Sequence, residues 1–256
     1  MSKNVIITGS TSGIGLGVAE AFAKNRDNVI FNGLEPNGAE IAANYAEKYS
    51  IKTGFIHSNL MTPEGVQELI NYSYETLGSI DVLVNNAGIQ HVSPVEDFPI
   101  EKYHQIIALN MNAAFYASKA VFAKMKAQGF GRIINISSVH GIRASEYKSA
   151  YVMAKHGVIG LTKVLALEGA LHNVTSNAIC PGYVKTPLVE GQIADQAKAH
   201  HMSENEVIEK IMLKKQAVKS FIPVEKIAEM ALFLAAENAT SISGAHFVLD
   251  GGWSAQ

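Results

Sequence analysis

Within YKSAYVMAKHG, residues 147–157, lie two tyrosines, two lysines and a histidine. Tyr151 and Lys155 stand four apart, which on a helix places them one turn apart on the same face. A free phenol has a pKa of about 10, too high for a base at neutral pH, so a nearby cation is needed to favour the phenolate. Such a pair can take a proton from a hydroxyl while hydride leaves the same carbon, or return it in the reverse direction. Tyr147 has no such partner, because its fourth neighbour onward is another tyrosine, and His156 takes no role. If the helix extends back to Lys148, that residue lies on the face of Tyr151, roughly 10 Å along the axis from Lys155. A cation there could hold an anionic substrate without competing with Lys155.

A second candidate is the loop ITGSTSGIGLG, which sets Gly9, Gly13 and Gly15 between a first strand and a first helix, with Thr11 and Ile14 among them. Glycines let such a turn bring backbone N–H groups and the helix N-terminus against a pyrophosphate. The spacing is G-x3-G-x-G rather than G-x-G-x-x-G, and a strand-to-helix turn uses glycine in any case. The second strand ends in FNGLEPNG, with Gly33 and Leu34 where a dinucleotide fold usually carries an acid; Glu35 follows. No Arg or Lys lies between Phe31 and Asn37 to pair with a 2'-phosphate, so NAD is expected over NADP. Glu35 is either a ribose ligand or a solvated turn residue.

The elements that must hold these groups follow from the hydrophobic pattern. Strand-like runs at 5–8, 28–32, 53–57, 81–85, 132–137, 175–179 and 245–249 alternate with helical patterns at 13–25, 37–49, 63–77, 100–128, 149–171 and 224–236. This predicts an α/β fold: a doubly wound, seven-stranded parallel sheet of Rossmann type, covered by helices on both faces. One domain over 1–256 is expected. Residues 187–221 are too long and polar for a tight connection, and Ser203–Glu206 reads as a capping box, so the segment is expected to be a helical substrate lid.

Composition narrows the function. The chain has 256 residues, a formal charge of -2, 48% hydrophobic and 17% charged residues, and one cysteine, Cys180. That excludes an internal disulfide and fits a cytoplasmic setting. His200 and His201 lack a third ligand at metal spacing, so no metal is expected. No basic-then-apolar leader and no apolar stretch long enough for a bilayer is evident, which predicts no membrane association. The scattered lysines lack the stripe that nucleic acid requires.

Three further stretches complete a pattern: NNAG (Asn85–Gly88), NISS (Asn135–Ser138) and YVMAK (Tyr151–Lys155). With the glycine loop, the whole chain resembles the short-chain dehydrogenase/reductase family. The resemblance implies a cofactor at the carboxyl edge of the sheet and catalysis by Ser138, Tyr151, Lys155 and Asn110. Ser138 would hydrogen-bond the substrate oxygen, and Asn110, with Asn112 as competitor, would hold a water joining the lysine to solvent. It also implies that Asn59 and Leu60 contact adenine, with Asn where the family has Asp, and that Asn86, Ala87 and Gly88 line the cofactor channel. The loop PGYVKTP, through Pro181, Gly182, Val184 and Thr186, would hold the nicotinamide carboxamide.

Outside these motifs, GIQHVSP, SSVHG, Lys148, the polar insertion and DGGWSAQ resemble the bacterial members of the family that oxidise (R)-3-hydroxybutyrate to acetoacetate. That implies a small hydroxy acid held at its carboxylate by Gln90, His140, Lys148 and Gln192, with Trp253 closing the pocket, in a homotetramer packed through the long helices. A small hydroxy acid offers one carboxylate and little apolar area, so a cation and several donors must supply binding and orientation. The alternatives are a reductase of a bulkier substrate such as a 3-oxoacyl thioester, and a nucleotide-sensing module without turnover.

Overall fold

A computed structural model describes residues 2–255, except the side chains of residues 188, 195, 196 and 198–200. Seven parallel strands form one sheet in the order β3-β2-β1-β4-β5-β6-β7. They are β1 (Asn4–Ile7), β2 (Asn28–Asn32), β3 (Thr53–Ile56), β4 (Val82–Asn85), β5 (Gly131–Ile136), β6 (Val174–Pro181) and β7 (His246–Leu249). The expected strands are all present, their ends displaced by a residue or two. The central ones are buried on both faces, which is why they read as near-continuous apolar runs.

Alternation along each strand sorts the side chains into two cores. Val5, Ile7, Val29 and Phe31 pack with Val18, Phe22 and Ile227 of α1 (Gly13–Lys24) and α9 (Val224–Ala235). Ile6, Ile30, Leu83 and Ile133 pack on the other face with Leu69, Val121, Met125 and Leu165. These last come from α3 (Pro63–Leu77), α5 (Ala113–Gln128) and α6 (Ser149–Gly169). Helix α2 (Gly38–Tyr49) flanks β3. The strand order reverses between β1 and β4, and a parallel sheet of this kind opens a crevice there at its carboxyl edge.

Two helical readings need correction. The run 100–128 is not one regular helix: α4 (Ile100–Ile107) passes through a π-helical turn at Ala108–Asn112 before α5. The side chain of Asn110 explains this, because it bonds the backbone of Ile89 and pulls the turn toward the sheet. In addition, Ile100–Gln128 and Ser149–His172 are, by length and composition, long and apolar enough to cross a membrane, contrary to the sequence expectation. Their apolar faces are occupied in the core, through Ala117, Val121, Met125 and Leu165.

The insertion folds as α7 (Pro187–His200), α8 (Glu204–Val207) and a π-helical turn at Ile208–Met212. Ser203 and Glu206 form the expected capping box. Val189, Ile193, Val207 and Met212 make a small core of their own.

Candidate active site

At the carboxyl edge, β1 runs into the glycine loop. Gly9 and Gly13 have φ of 60° and 54°, in the left-handed region that favours glycine. A Cβ on Gly15 would lie 2.1 Å from the Gly9 carbonyl oxygen, so Gly15 packs beneath the loop rather than facing the cleft. The Asn86 amide donates to the Thr8 and Gly9 carbonyls, both at 2.9 Å, and the Thr8 hydroxyl accepts from the N–H groups of Asn86 and Ala87. The NNAG segment thus clamps the glycine loop, and the Asn86 amide is spent on that task.

An elongated cavity of about 330 Å³ runs over this loop. Of the expected cofactor residues, Gly9, Thr11, Gly13, Ile14, Leu34, Asn59, Leu60, Asn86, Ala87, Gly88, Tyr151, Lys155 and Thr186 line it. Glu35 lines it as well. Its carboxylate accepts from the Thr11 hydroxyl, from the Ser12 hydroxyl at 3.4 Å and from the Leu34 N–H at 3.0 Å. Burial works to raise the Glu35 carboxyl, but the bonds from Thr11, from the Glu35 and Leu34 N–H groups and from Ser12 outweigh it and hold it below the usual carboxylate range. The reading of Glu35 as a solvated turn residue is therefore set aside.

A second cavity, about 90 Å³, adjoins the first at Tyr151. Gln90, His140, Lys148, Gln192 and Trp253 all line it, together with Ser138, Pro181, Gly182 and Val184. They arrive from five separate parts of the chain. The Gln90 Nε2 and Gln192 Oε1 atoms are buried without a hydrogen-bond partner among the described residues. Buried polar atoms are rarely left so, and those here face a place where a polar ligand fits.

Helix α6 starts where its pattern predicts, at Ser149, and does not extend back to Lys148, which is its N-cap residue with φ of -123°. The chain enters through Tyr147, whose φ of 64° is left-handed and whose carbonyl accepts from the Ser93 N–H. The buried Lys148 Nζ donates to the Tyr183 hydroxyl at 3.1 Å. Burial pushes its ammonium down to about 8. His140 is pushed down to about 3, first by burial and then by Lys148, Lys215 and His156, so it is neutral at pH 7. Its Nε2 lies 3.1 Å from the Ser145 hydroxyl.

Tyr151 lines both cavities, and Lys155 lines the larger one. Burial pushes the Tyr151 phenol up to about 12, against a smaller lowering by Ser138. Burial also pushes the Lys155 ammonium down to about 8. The Lys155 Nζ donates to the Ile136 carbonyl at 2.8 Å and lies 5.6 Å from the centre of the Tyr151 ring. The expected cation effect is therefore not what sets the phenol; burial is. Asn110 accepts from the Ile89 N–H at 2.9 Å and donates to the Ile89 carbonyl at 2.8 Å. One N–H and one oxygen lone pair of its amide are used there, and Asn110 also lines a small cavity of about 10 Å³ that touches Lys155.

The motifs now sit on one sheet edge, and residues 3–197 match the family model of the short chain dehydrogenases. The chain belongs to that family. Its chemistry uses a nicotinamide dinucleotide, NAD or NADP. A D-beta-hydroxybutyrate dehydrogenase of Rhizobium meliloti (strain 1021) is 47% identical over 258 residues, covering 100% of both chains. One from Cupriavidus necator is 42% identical, over 99% of this chain and 98% of that one. Among solved structures, the L-sorbose reductase of Gluconobacter frateurii complexed with NADPH and L-sorbose superposes with a TM-score of 0.92 at 28% identity, over 98% of this chain and 96% of that one.

Sequence reasoning passed over Tyr183 as a site residue and left Glu35 undecided. Tyr183 lies inside PGYVKTP, a stretch read only for the nicotinamide; its contact with Lys148 joins positions 35 residues apart and has no local signal. The side chain of His200 lies outside the described residues.

Proposed function

We propose that this short-chain dehydrogenase oxidises (R)-3-hydroxybutyrate to acetoacetate, reversibly, with NAD as the hydride acceptor. One observation carries the substrate reading: a small cavity beside Tyr151 is ringed by Lys148, neutral His140 and two glutamines with unpartnered buried atoms. A cation and several donors around so little volume suit one carboxylate on a short chain. The two hydroxybutyrate dehydrogenases support the same substrate.

The 330 Å³ cavity and the glycine loop beneath it fit the dinucleotide, which when bound supplies the hydride acceptor. The loop N–H groups, Gly13 among them, would face the pyrophosphate. Leu34, 58% exposed, and Leu60 would pack on adenine, and Asn59, whose Oδ1 accepts from the Met61 N–H, keeps its amide N–H groups for it. Thr186, Pro181, Gly182 and Val184 would border the carboxamide. Preference for NAD over NADP would rest on Glu35, whose carboxylate lines the larger cavity and would repel a 2'-phosphate bound beside it.

In the oxidation, Ser138 would hold the substrate hydroxyl, and Tyr151 would take its proton while giving up its own phenol proton toward the neutral amine form of Lys155. Burial brings the Lys155 ammonium down to about 8, so the neutral amine that would accept this proton is populated near that pH. Asn110 positions Ile89 and Gln90 and borders a cavity with room for about one water next to Lys155. Residues 187–221 would act as the lid over both cavities, and exposed Phe115 and Leu167 on α5 and α6 would lie in the interface of a cytoplasmic homotetramer.

The test is NADH formation with (R)-3-hydroxybutyrate and its methyl ester. The acid should be favoured at least about tenfold in kcat/KM, the cost of losing one charge-assisted hydrogen bond. Equal turnover of acid and ester would overturn the carboxylate pocket.

A further inference from the structure

Tyr183 stands at the centre of a stack drawn from four distant segments. Lys148 Nζ lies 5.2 Å over its ring, the ring stacks on Trp253 at 5.8 Å and 14°, and Lys215 Nζ lies 5.7 Å from the centre of the Trp253 ring. Trp253 in turn meets His140 edge to face at 5.2 Å. The backbone of Tyr183 is fixed from both sides: its N–H donates to Oε1 of the fully buried Gln216 at 3.3 Å, and its carbonyl accepts from the Ile222 N–H at 2.8 Å. Gln216 itself is tied to the Val218 and Ser220 carbonyls, so the end of the insertion anchors this ring.

We propose that Tyr183 is a specificity-determining residue of the substrate cavity: its hydroxyl positions the Lys148 ammonium and donates its own proton to the substrate carboxylate, while its ring, backed by Trp253, limits chain length. The inference rests on the carboxylate reading given above. A phenol that accepts from an ammonium still has its proton to give, and the Lys148 contact directs the hydroxyl to the same group that would meet the carboxylate. Burial holds the Tyr183 phenol up at about 12, so it stays a donor throughout the working range. The stacked Tyr183 and Trp253 rings form one apolar wall of the cavity of about 90 Å³, against which a substrate's alkyl end would pack.

The experiment compares wild type, Tyr183→Phe and Tyr183→Ala with NAD. Tyr183→Phe keeps the stack, and because Trp253 is the only tryptophan, its emission reports directly whether the stack survives. The ratio of kcat/KM for (R)-3-hydroxybutyrate to that for its methyl ester should fall about tenfold in Tyr183→Phe, mainly through KM of the acid. Tyr183→Ala should raise kcat/KM for (R)-3-hydroxyhexanoate relative to (R)-3-hydroxybutyrate by about tenfold. An acid-to-ester ratio unmoved by Tyr183→Phe, or acid and ester falling together as a structural role would make them, overturns the inference. No acid preference in the wild type would instead remove the reading on which it rests.

Discussion

Asn110 holds Ile89 by both backbone groups, accepting from its N–H at 2.9 Å and donating to its carbonyl at 2.8 Å. This two-way bond ties the π-helical turn to the strand end that carries Gly88 and Gln90. Asn110→Ala should therefore lower kcat and raise KM together, and cost about 1–3 kcal/mol of stability by orphaning buried groups. Asn110→Asp, which can accept but not donate when ionised, should recover part of neither activity nor stability beyond the single accepted bond. Steady-state kinetics with thermal melts check this; full activity in the alanine variant would release Asn110 from the site.

Tyr151→Phe should lower kcat by about 10²–10⁴ while NAD binding, followed by fluorescence, stays close to that of the wild type. Turnover retained in the Phe variant would remove Tyr151 from proton transfer.

The two buried lysines predict opposite pH limbs. Oxidation needs the Tyr151–Lys155 pair to accept a proton, so activity rises as Lys155 titrates near 8. Binding of the carboxylate needs Lys148 charged, so affinity falls as pH rises through about 8. The kcat/KM profile should peak near pH 8, and Lys148→Met should lose the alkaline limb while raising KM. An unchanged alkaline limb in Lys148→Met would show that another group is responsible.

Glu35→Gln keeps the acceptor for Thr11 but removes the charge. It should improve kcat/KM with NADP relative to NAD about tenfold, equivalent to about 1.4 kcal/mol. No change in that ratio would detach cofactor preference from Glu35.

His140 gives a stability prediction. Its folded pKa of about 3 lies below the ordinary value of 6.5, so the unfolded chain binds a proton that the folded chain refuses. The contribution is fully present above pH 6.5 and is lost progressively as pH falls toward 3. At pH 5 the loss should be on the order of 2 kcal/mol, from the separation of the two pKa values. His140→Asn should flatten the melting temperature over that range; an equal acid slope in both proteins would contradict the assignment.

The sheet was legible because its strands are apolar runs bounded by glycines and helical patterns, and that period does not depend on distant contacts. The Tyr151–Lys155 pair and the glycine loop were legible for the same reason, being local spacings. What was not legible depended on tertiary contact. The π-helical turn exists because Asn110 reaches Ile89, the role of Glu35 because Thr11 folds against it, and Tyr183 because Lys148 lands beside it. The conditional extension of that helix back to Lys148 is not realised, because Tyr147 takes a left-handed φ, which the sequence alone does not signal.

The most direct test of the central claim is NADH absorbance with purified enzyme, NAD and either (R)- or (S)-3-hydroxybutyrate. Steady NADH formation with the (R) enantiomer and about a hundredfold less with the (S), whose hydrogen would point away from the cofactor cleft when its carboxylate is held by Lys148, is the predicted result. Equal rates with both enantiomers, or none with either, would contradict the account.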